Sequence, residues 1–321
     1  MSVFYKSPLN YIGGKYKMLP QIMQFFPQNI NKMYDLFAGG CDVCANVNTN
    51  NIFANDINFF VVDIFKEFQK LSIEELLKEI DNLIEFWDLN MTNKDSYIKF
   101  RSHYNSLPVE KRNPIELYVL VCYSFNYQFR FNNKHEFNNP FGKNRSSFNP
   151  KMRQNLINFH AKIKGITFSS SNFHDINLDF LEKDDFLYAD PPYRITTGSY
   201  NDGKRGFEGW SVNDDRELFN LLDDLNSRDV KFALSNVTEH KGEKNNELIE
   251  WKKKYYTHEI NYNYNNSNYH SQSKNYQTQE VLITNYLEEN DGYENFRLDS
   301  KSGFAEKVKS RNGDIQLQFD F

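Results

Sequence analysis

A chain of 321 residues can hold one large domain, or a domain carrying a substantial insert. With 39% apolar and 16% aromatic residues it is excluded from the disordered class, and a net charge of −5 excludes attraction to polyanions by bulk charge, leaving local basic patches as the place to look. The three cysteines make no disulfide framework and predict a reducing cytoplasm, and no signal peptide or membrane-spanning stretch of ~18 apolar residues is legible. The 29 Phe and 20 Tyr, with abundant Asn and Lys, read as the imprint of an AT-biased genome.

In chain order, short apolar runs predict strands over residues 33–38, 51–55, 166–170, 185–189, 231–235, 255–263 and 280–286. Helical periodicity predicts helices over 15–26, 57–71, 151–163, 214–225 and 245–254. This alternation predicts an α/β fold with a parallel, doubly wound sheet, closed by an antiparallel final strand after the polar loop 265–277. Between about 66 and 165 the rhythm changes to helices over 73–87, 94–105 and 113–125. A stretch follows in which Gln128, Arg130 and Asn132 alternate with Phe129 and Phe131, as in a β-hairpin arm. The expected organisation is therefore 1–65 and 166–288 as two parts of one domain, 66–165 as an insert, and 289–321 as a polar tail. The last residues, Gln316 to Phe321, suit an edge strand or a docking peptide.

Four features carry chemistry. Gly13-Gly14-Lys15, after Tyr11, combines a close-approach backbone with a cation, although for a glycine pair taken alone a plain turn and helix start is the favoured reading. Asp35-Leu36-Phe37-Ala38-Gly39-Gly40 is a strand leading into a glycine turn and a predicted helix, with Cys41 and Cys44 as buried small residues. It lacks the dinucleotide fingerprint and the P-loop pattern, which argues against nicotinamide, flavin or ATP chemistry. Asp56 ends the next strand, where an acid either accepts from ribose hydroxyls or caps a helix.

Asp190-Pro191-Pro192-Tyr193 then closes a buried strand. A carboxylate and a proline-held carbonyl can accept from an exocyclic amine while the ring of Tyr193 stacks on the base that carries it. Taken alone the motif suits any amino methyltransferase, acting on DNA, on RNA or on another planar amine. The basic segment from Gln128 to Arg153, with Arg130, Lys134, Lys143, Arg145, Lys151 and Arg153 against the single acid Glu136, carries interleaved aromatics and reads as a nucleic-acid surface or as a solvated face. Loss of catalysis would leave such a chain a DNA-binding module.

The order of these motifs, with Phe125 to Asn132 and Glu136 to Gly142 in the insert, resembles the Dam-like, alpha-ordered adenine-N6 DNA methyltransferases from about Pro8 to Tyr286. The resemblance implies a Rossmann-like seven-stranded methyltransferase sheet with an inserted, mainly helical DNA-recognition domain. It implies S-adenosyl-L-methionine as methyl donor and no metal. Tyr11, Gly13, Gly14, Lys15, Asp35, Phe37, Ala38, Gly39 and Gly40 would line the donor's amino-acid end. Asp56 would hold the ribose, and Asn172 and Phe173 the adenine. Asp190, Pro191, Pro192 and Tyr193 would bind a target adenine flipped out of duplex DNA. Gln128, Arg130, Asn132, Lys134, Asn139, Lys143 and Arg145 would face DNA, with Arg130 reading guanine or pairing with Glu136, the lysines and Arg145 on phosphates, and Phe129 or Tyr127 filling the gap left by the base. Residues 274–277 are a further DNA contact on this reading. The implied target is GATC or a related GA-containing site, in a restriction-modification, phage or orphan setting with a possible partner endonuclease. The expected state is a monomer or weak dimer, and Gln316 to Phe321 is separately similar to the Gln-Leu-x-Leu-Phe peptides that dock on the bacterial sliding clamp, with an edge strand or a frayed terminus as the alternative.

Overall fold

A computed structural model describes residues 4–196, 209–260 and 278–287, together with the backbone of 296–298 and 305–307. In chain order the elements are α1 (Leu19–Ile22), β1 (Met33–Asp35), β2 (Ile52–Asn55), α2 (Phe59–Lys70), α3 (Ile73–Phe86), α4 (Lys94–Ser106), α5 (Pro114–Tyr123), α6 (Pro150–Ile163), β3 (Ile166–Ser169), β4 (Phe186–Ala189), α7 (Val212–Ser227), β5 (Lys231–His240), β6 (Glu243–Lys244), α8 (Asn246–Trp251), β7 (Tyr256–Ile260), β8 (Thr278–Thr284), β9 (Phe296–Leu298) and β10 (Ala305–Lys307).

The main sheet has the order β3-β2-β1-β4-β5-β8-β7. Strands β1 to β5 pair in parallel, and β8 slots antiparallel between β5 and β7. All seven predicted strands are present. Two short features were not predicted: β6, a two-residue addition to β5, and the antiparallel β9–β10 pair in what reads as a polar tail. Residues 261–263 of the strand predicted over 255–263, the loop residues 274–277 and the C-terminal docking peptide lie outside the described residues.

The local chemistry of the helix starts is plain. Asn113 and Asn149 cap helices that open with Pro114 and Pro150, and Ser72–Glu75 and Ser211–Asp214 form capping boxes. Helix α5 is apolar on nearly every side and runs through the middle of the insert. It packs on α2, where the rings of Tyr118 and Phe68 meet edge to face at 5.1 Å. One continuous core thus joins the insert to one face of the sheet, and a second core under α7 and α8 covers the other.

Two predicted elements differ. The segment after Gly40 is no helix: Cys41 takes φ +59° and a single 3-10 turn, Cys44–Asn46, follows, so the buried cysteines sit in a tight turn. The predicted hairpin arm forms two isolated antiparallel bridges, Ser124 to Phe141 and Phe131 to Phe137, rather than a ladder. Asn126, Tyr127 and His135 adopt positive φ, which interrupts strand geometry on the first limb and at the tip. Phe131 and Phe137 face inward instead: Phe131 stacks on Phe60 at 4.1 Å, and Phe137 is fully buried.

Candidate functional site

The carboxyl ends of β1, β2 and β4 open into a cleft of about 290 Å³ lined by Tyr11, Lys15, Asp35, the Phe37–Gly40 turn, Asp56 and Asp190 to Tyr193. Parallel sheets place ligands at such an edge because their strands end together and their loops diverge. Gly13 and Gly14 also line it, and Ile12, Asp42, Val43, Ile57, Tyr188 and Thr196 are lining residues the sequence reading missed.

Gly39 sits at φ +48°, and a Cβ there would come within 2.9 Å of the Tyr11 ring, so both backbone and space call for glycine. The turn is pinned from β2: the Gly39 N–H donates to Asp56 Oδ2 at 2.8 Å, and the Asn58 N–H to Oδ1 at 2.8 Å. Asp56 therefore both braces the glycine turn and steadies the start of α2, while still facing the cleft. Burial, opposed by those two N–H groups, raises its pKa to about 6. Asp35 is more perturbed: burial first, then the charge of Asp190, raise it to about 8 despite hydrogen bonds from Cys44. Its Oδ1 is buried without a hydrogen-bond partner. An orphaned acceptor beside Asp42, Asp56 and Asp190 is chemically suited to a ligand that brings an ammonium and a positive sulfur.

On the opposite wall Lys15, 4% exposed, places Nζ 2.7 Å from Asp190 Oδ2 and 3.7 Å from Glu280 Oε1. Its Nζ also donates to the Gly13 carbonyl at 3.1 Å and lies 5.0 Å from the Tyr193 ring centre. The Tyr193 hydroxyl is 2.8 Å from Asp190 Oδ1 and 2.9 Å from Glu280 Oε1. Burial, reinforced by the carboxylates of Asp190 and Glu280, pushes the Tyr193 pKa well above the ordinary tyrosine value, so the hydroxyl keeps its proton. Glu280 was not found in the sequence, where it opens an apolar strand like any rim residue.

Just beyond, Arg194 locks the turn after Tyr193. It donates through Nε to Asp215 Oδ2 at 2.9 Å and through a terminal nitrogen to Asn245 Oδ1 at 2.9 Å and Glu247 Oε2 at 3.2 Å. Asp215 also accepts the Trp210 indole N–H at 2.8 Å. Asn172 and Phe173 stand apart from the lining. Asn172 caps a short 3-10 turn by accepting from the His174 N–H, and Phe173 meets the site through Phe37 at 5.5 Å, with Trp210 5.2 Å away as a third ring.

The basic loop adjoins the cleft: Tyr11 contacts Phe129 at 6.1 Å between ring centres, and Asn10 Nδ2 donates to the Asn126 carbonyl at 2.9 Å. Arg130, Lys134, Lys143 and Arg145 are exposed on it, Arg145 lying 4.8 Å from the Phe125 ring centre. Gln128 is half-buried. Two residues expected on the DNA side are turned to the loop's own use. Asn139, 2% exposed, donates from Nδ2 toward Ser124 Oγ and the Phe125 and Gln128 carbonyls at 2.7 to 3.0 Å. Asn132 closes the tip by accepting from the Lys134 and Glu136 N–H groups and donating to Glu136 Oε2. Glu136 is thus engaged by Asn132, where pairing with Arg130 was the alternative expected. Phe129 is buried, and Tyr127 is held by its hydroxyl on the Arg145 carbonyl at 3.0 Å.

Residues 11–276 match the profile of the D12 class N6 adenine-specific DNA methyltransferases. Among similar curated proteins are a modification methylase StsI of Streptococcus sanguinis, 49% identical over 88% of this chain and 43% of that protein, and a type II methyltransferase M.FokI of Planomicrobium okeanokoites, 47% identical over 88% and 43%. A DNA adenine methylase of Haemophilus influenzae is 28% identical over 58% of this chain and 63% of its own length. The chain spans less than half the length of the first two.

Proposed function

The chain belongs to the D12 class N6 adenine-specific DNA methyltransferase family, and from that premise we propose that it transfers a methyl group from S-adenosyl-L-methionine to N6 of an adenine flipped out of duplex DNA. The observation that carries this reading is the Lys15–Asp190–Tyr193 constellation, in which a buried Lys15 holds a half-buried Asp190 and Tyr193 at the strand edge beside a cleft whose acidic lining leaves Asp35 Oδ1 in want of a donor.

Asp35 and the Gly39–Gly40 turn would hold the donor's amino-acid end, with Asp56 toward its ribose and the Phe37–Phe173–Trp210 rings toward its adenine. Once bound, S-adenosyl-L-methionine supplies an electrophilic methyl on sulfur. Tyr193 presents its ring to the target base, and Asp190 and the Pro191 carbonyl accept the two N6–H bonds. Those hydrogen bonds draw the nitrogen lone pair out of ring conjugation and aim it along the line of attack. A new N–CH3 bond would form as the S–CH3 bond breaks with its electron pair left on sulfur, and the proton released from N6 would pass to the Asp190 carboxylate and from there to water. Lys15 holds the Asp190 carboxylate in place throughout.

Arg130 reads a base edge in a GATC or related GA-containing site, and Lys134, Lys143 and Arg145 contact phosphates. The chain works in the cytoplasm as the modification partner of a restriction system. Asp190→Ala and Tyr193→Ala should each abolish transfer to methyl-free duplex DNA while keeping a cooperative melting transition, lowered in Asp190→Ala by the stranded Lys15, and keeping donor binding. Full activity in either variant would sink the mechanism, and sequencing modified bases from cells expressing the chain gives the target.

A further inference from the structure

Glu280 projects from β8 into the site from the far side of the sheet. Strand β8 runs antiparallel to its neighbours, so its first residues lie at the carboxyl edge of the parallel strands, and Glu280 pairs there with Val237 of β5 and Ile260 of β7. A glutamate 3% exposed in such a place has an electrostatic cost unless its partners are fixed. Those partners include the two groups that also hold Asp190: the Tyr193 hydroxyl at 2.9 Å and the Lys15 ammonium at 3.7 Å.

The hydroxyl is the informative group. It carries one proton and stands almost equidistant from Asp190 Oδ1 and Glu280 Oε1, at 2.8 and 2.9 Å. Rotation about the Tyr193 C–O bond therefore moves the hydrogen bond from one carboxylate to the other with no movement of the ring. The two states differ in what Asp190 can offer. With the hydroxyl on Oδ1 and Lys15 on Oδ2, both Asp190 oxygens are already hydrogen-bonded, and each is a weakened acceptor for an amine. With the hydroxyl turned to Glu280, Oδ1 regains its acceptor strength while Lys15 still anchors Oδ2.

Resting on the adenine-N6 reading, we propose that Glu280 is a positioning residue for methyl transfer: it takes over the hydrogen bond of the Tyr193 hydroxyl as the target amine arrives, and so frees Asp190 Oδ1 to accept N6–H. No proton changes owner in this step, because the hydroxyl stays a hydroxyl and only its direction changes. Glu280 touches neither the amine nor the methyl group and acts through Tyr193 alone.

The test is a double-mutant cycle of Glu280→Gln and Tyr193→Phe in the full chain, assayed on methyl-free amplified duplex DNA with N6-methyladenine read by mass spectrometry. Glu280→Gln should lower kcat by roughly 10- to 100-fold, the usual weight of one hydrogen bond to a charged group, with KM for DNA and donor within about twofold. In the Tyr193→Phe background, where no hydroxyl competes for Oδ1, the same change should cost less than about threefold. Equal losses in both backgrounds, a loss confined to KM, or full activity of Glu280→Gln would each overturn the inference while leaving the reaction itself intact. Should Glu280→Gln melt too low to assay, Glu280→Asp, which keeps the charge but withdraws it from Tyr193, takes its place in the cycle with the same expected pattern. Wild-type chain that puts no methyl on adenine overturns the reaction and this inference together.

Discussion

Arg194→Met offers a test of how the turn after Tyr193 is held. The substitution keeps the length of the side-chain stem and removes the guanidinium from Asp215, which is 1% exposed. Breaking one partner out of a fully buried ion pair costs about 3–5 kcal/mol. Two features of this site lower that figure. The Arg194 side chain is 21% exposed, so water already shares its charge, and Asp215 keeps the Trp210 indole N–H at 2.8 Å and a longer contact to Asn245 Nδ2 at 3.4 Å. The expected loss is therefore about 2–3 kcal/mol of folding stability, to be read by urea unfolding followed through tryptophan fluorescence. Pairing it with Asp215→Leu removes the stranded carboxylate, and the double variant should regain most of the stability because an apolar pair of similar volume replaces an ionic one. Methyl transfer should stay depressed in both, since Tyr193 loses the anchor next to it. A loss below about 1 kcal/mol in Arg194→Met, or strictly additive losses in the double variant, would refute the idea that this pair acts as a unit.

Other outcomes follow from the charges on the loop and in the cleft. Arg130→Ala should cost about 1–3 kcal/mol of discrimination at one base position, whereas Lys143→Ala should weaken binding to all sequences alike and lower the salt slope by about one, both measured by titration against matched and mismatched duplexes. Asp35 is raised to about 8 and Asp56 to about 6, so the ligand-free folded chain binds more protons than the unfolded chain between their ordinary values near 4 and these raised ones. Stability should consequently fall as pH climbs from about 5 to 8, and melting curves of Asp35→Asn should be flatter over that window. A wild-type melting temperature that rises across the same range would contradict the raised values.

The sequence was readable where one residue type answers one physical need. Apolar runs of strand length at Met33, Ile166 and Phe186 had nowhere to go but a buried parallel sheet, and the glycine turn at Gly39 and the Asp190–Tyr193 corner sit at its edge as expected. It was unreadable where a residue's partner lies far off in the chain. Glu280 looks like a polar residue opening a strand, and nothing local says that Lys15 and Tyr193 will converge on it. Arg194 likewise reads as a charge after a motif until α7 and α8 bring Asp215 and Glu247 to it. The hairpin failed as a ladder for a related reason. Alternation of Phe129 and Phe131 with polar neighbours has strand period, but side chains from outside the loop stand in for a partner strand. The Asn105 side chain bonds the Phe137 backbone from both ends, and Arg112 bonds the His135 carbonyl.

The placement of β8 between β5 and β7 also bears on how this chain is made. Lys15 leaves the ribosome well before Glu280, so the site cannot close until β8 has been made. Until residues 278–284 arrive, β5 and β7 face each other across a gap one strand wide, each offering unpaired N–H and C=O groups. A product truncated before that point is left with open edges and with Lys15 and Tyr193 short of one carboxylate. Such a fragment, with open strand edges, is a substrate for chaperones and proteases.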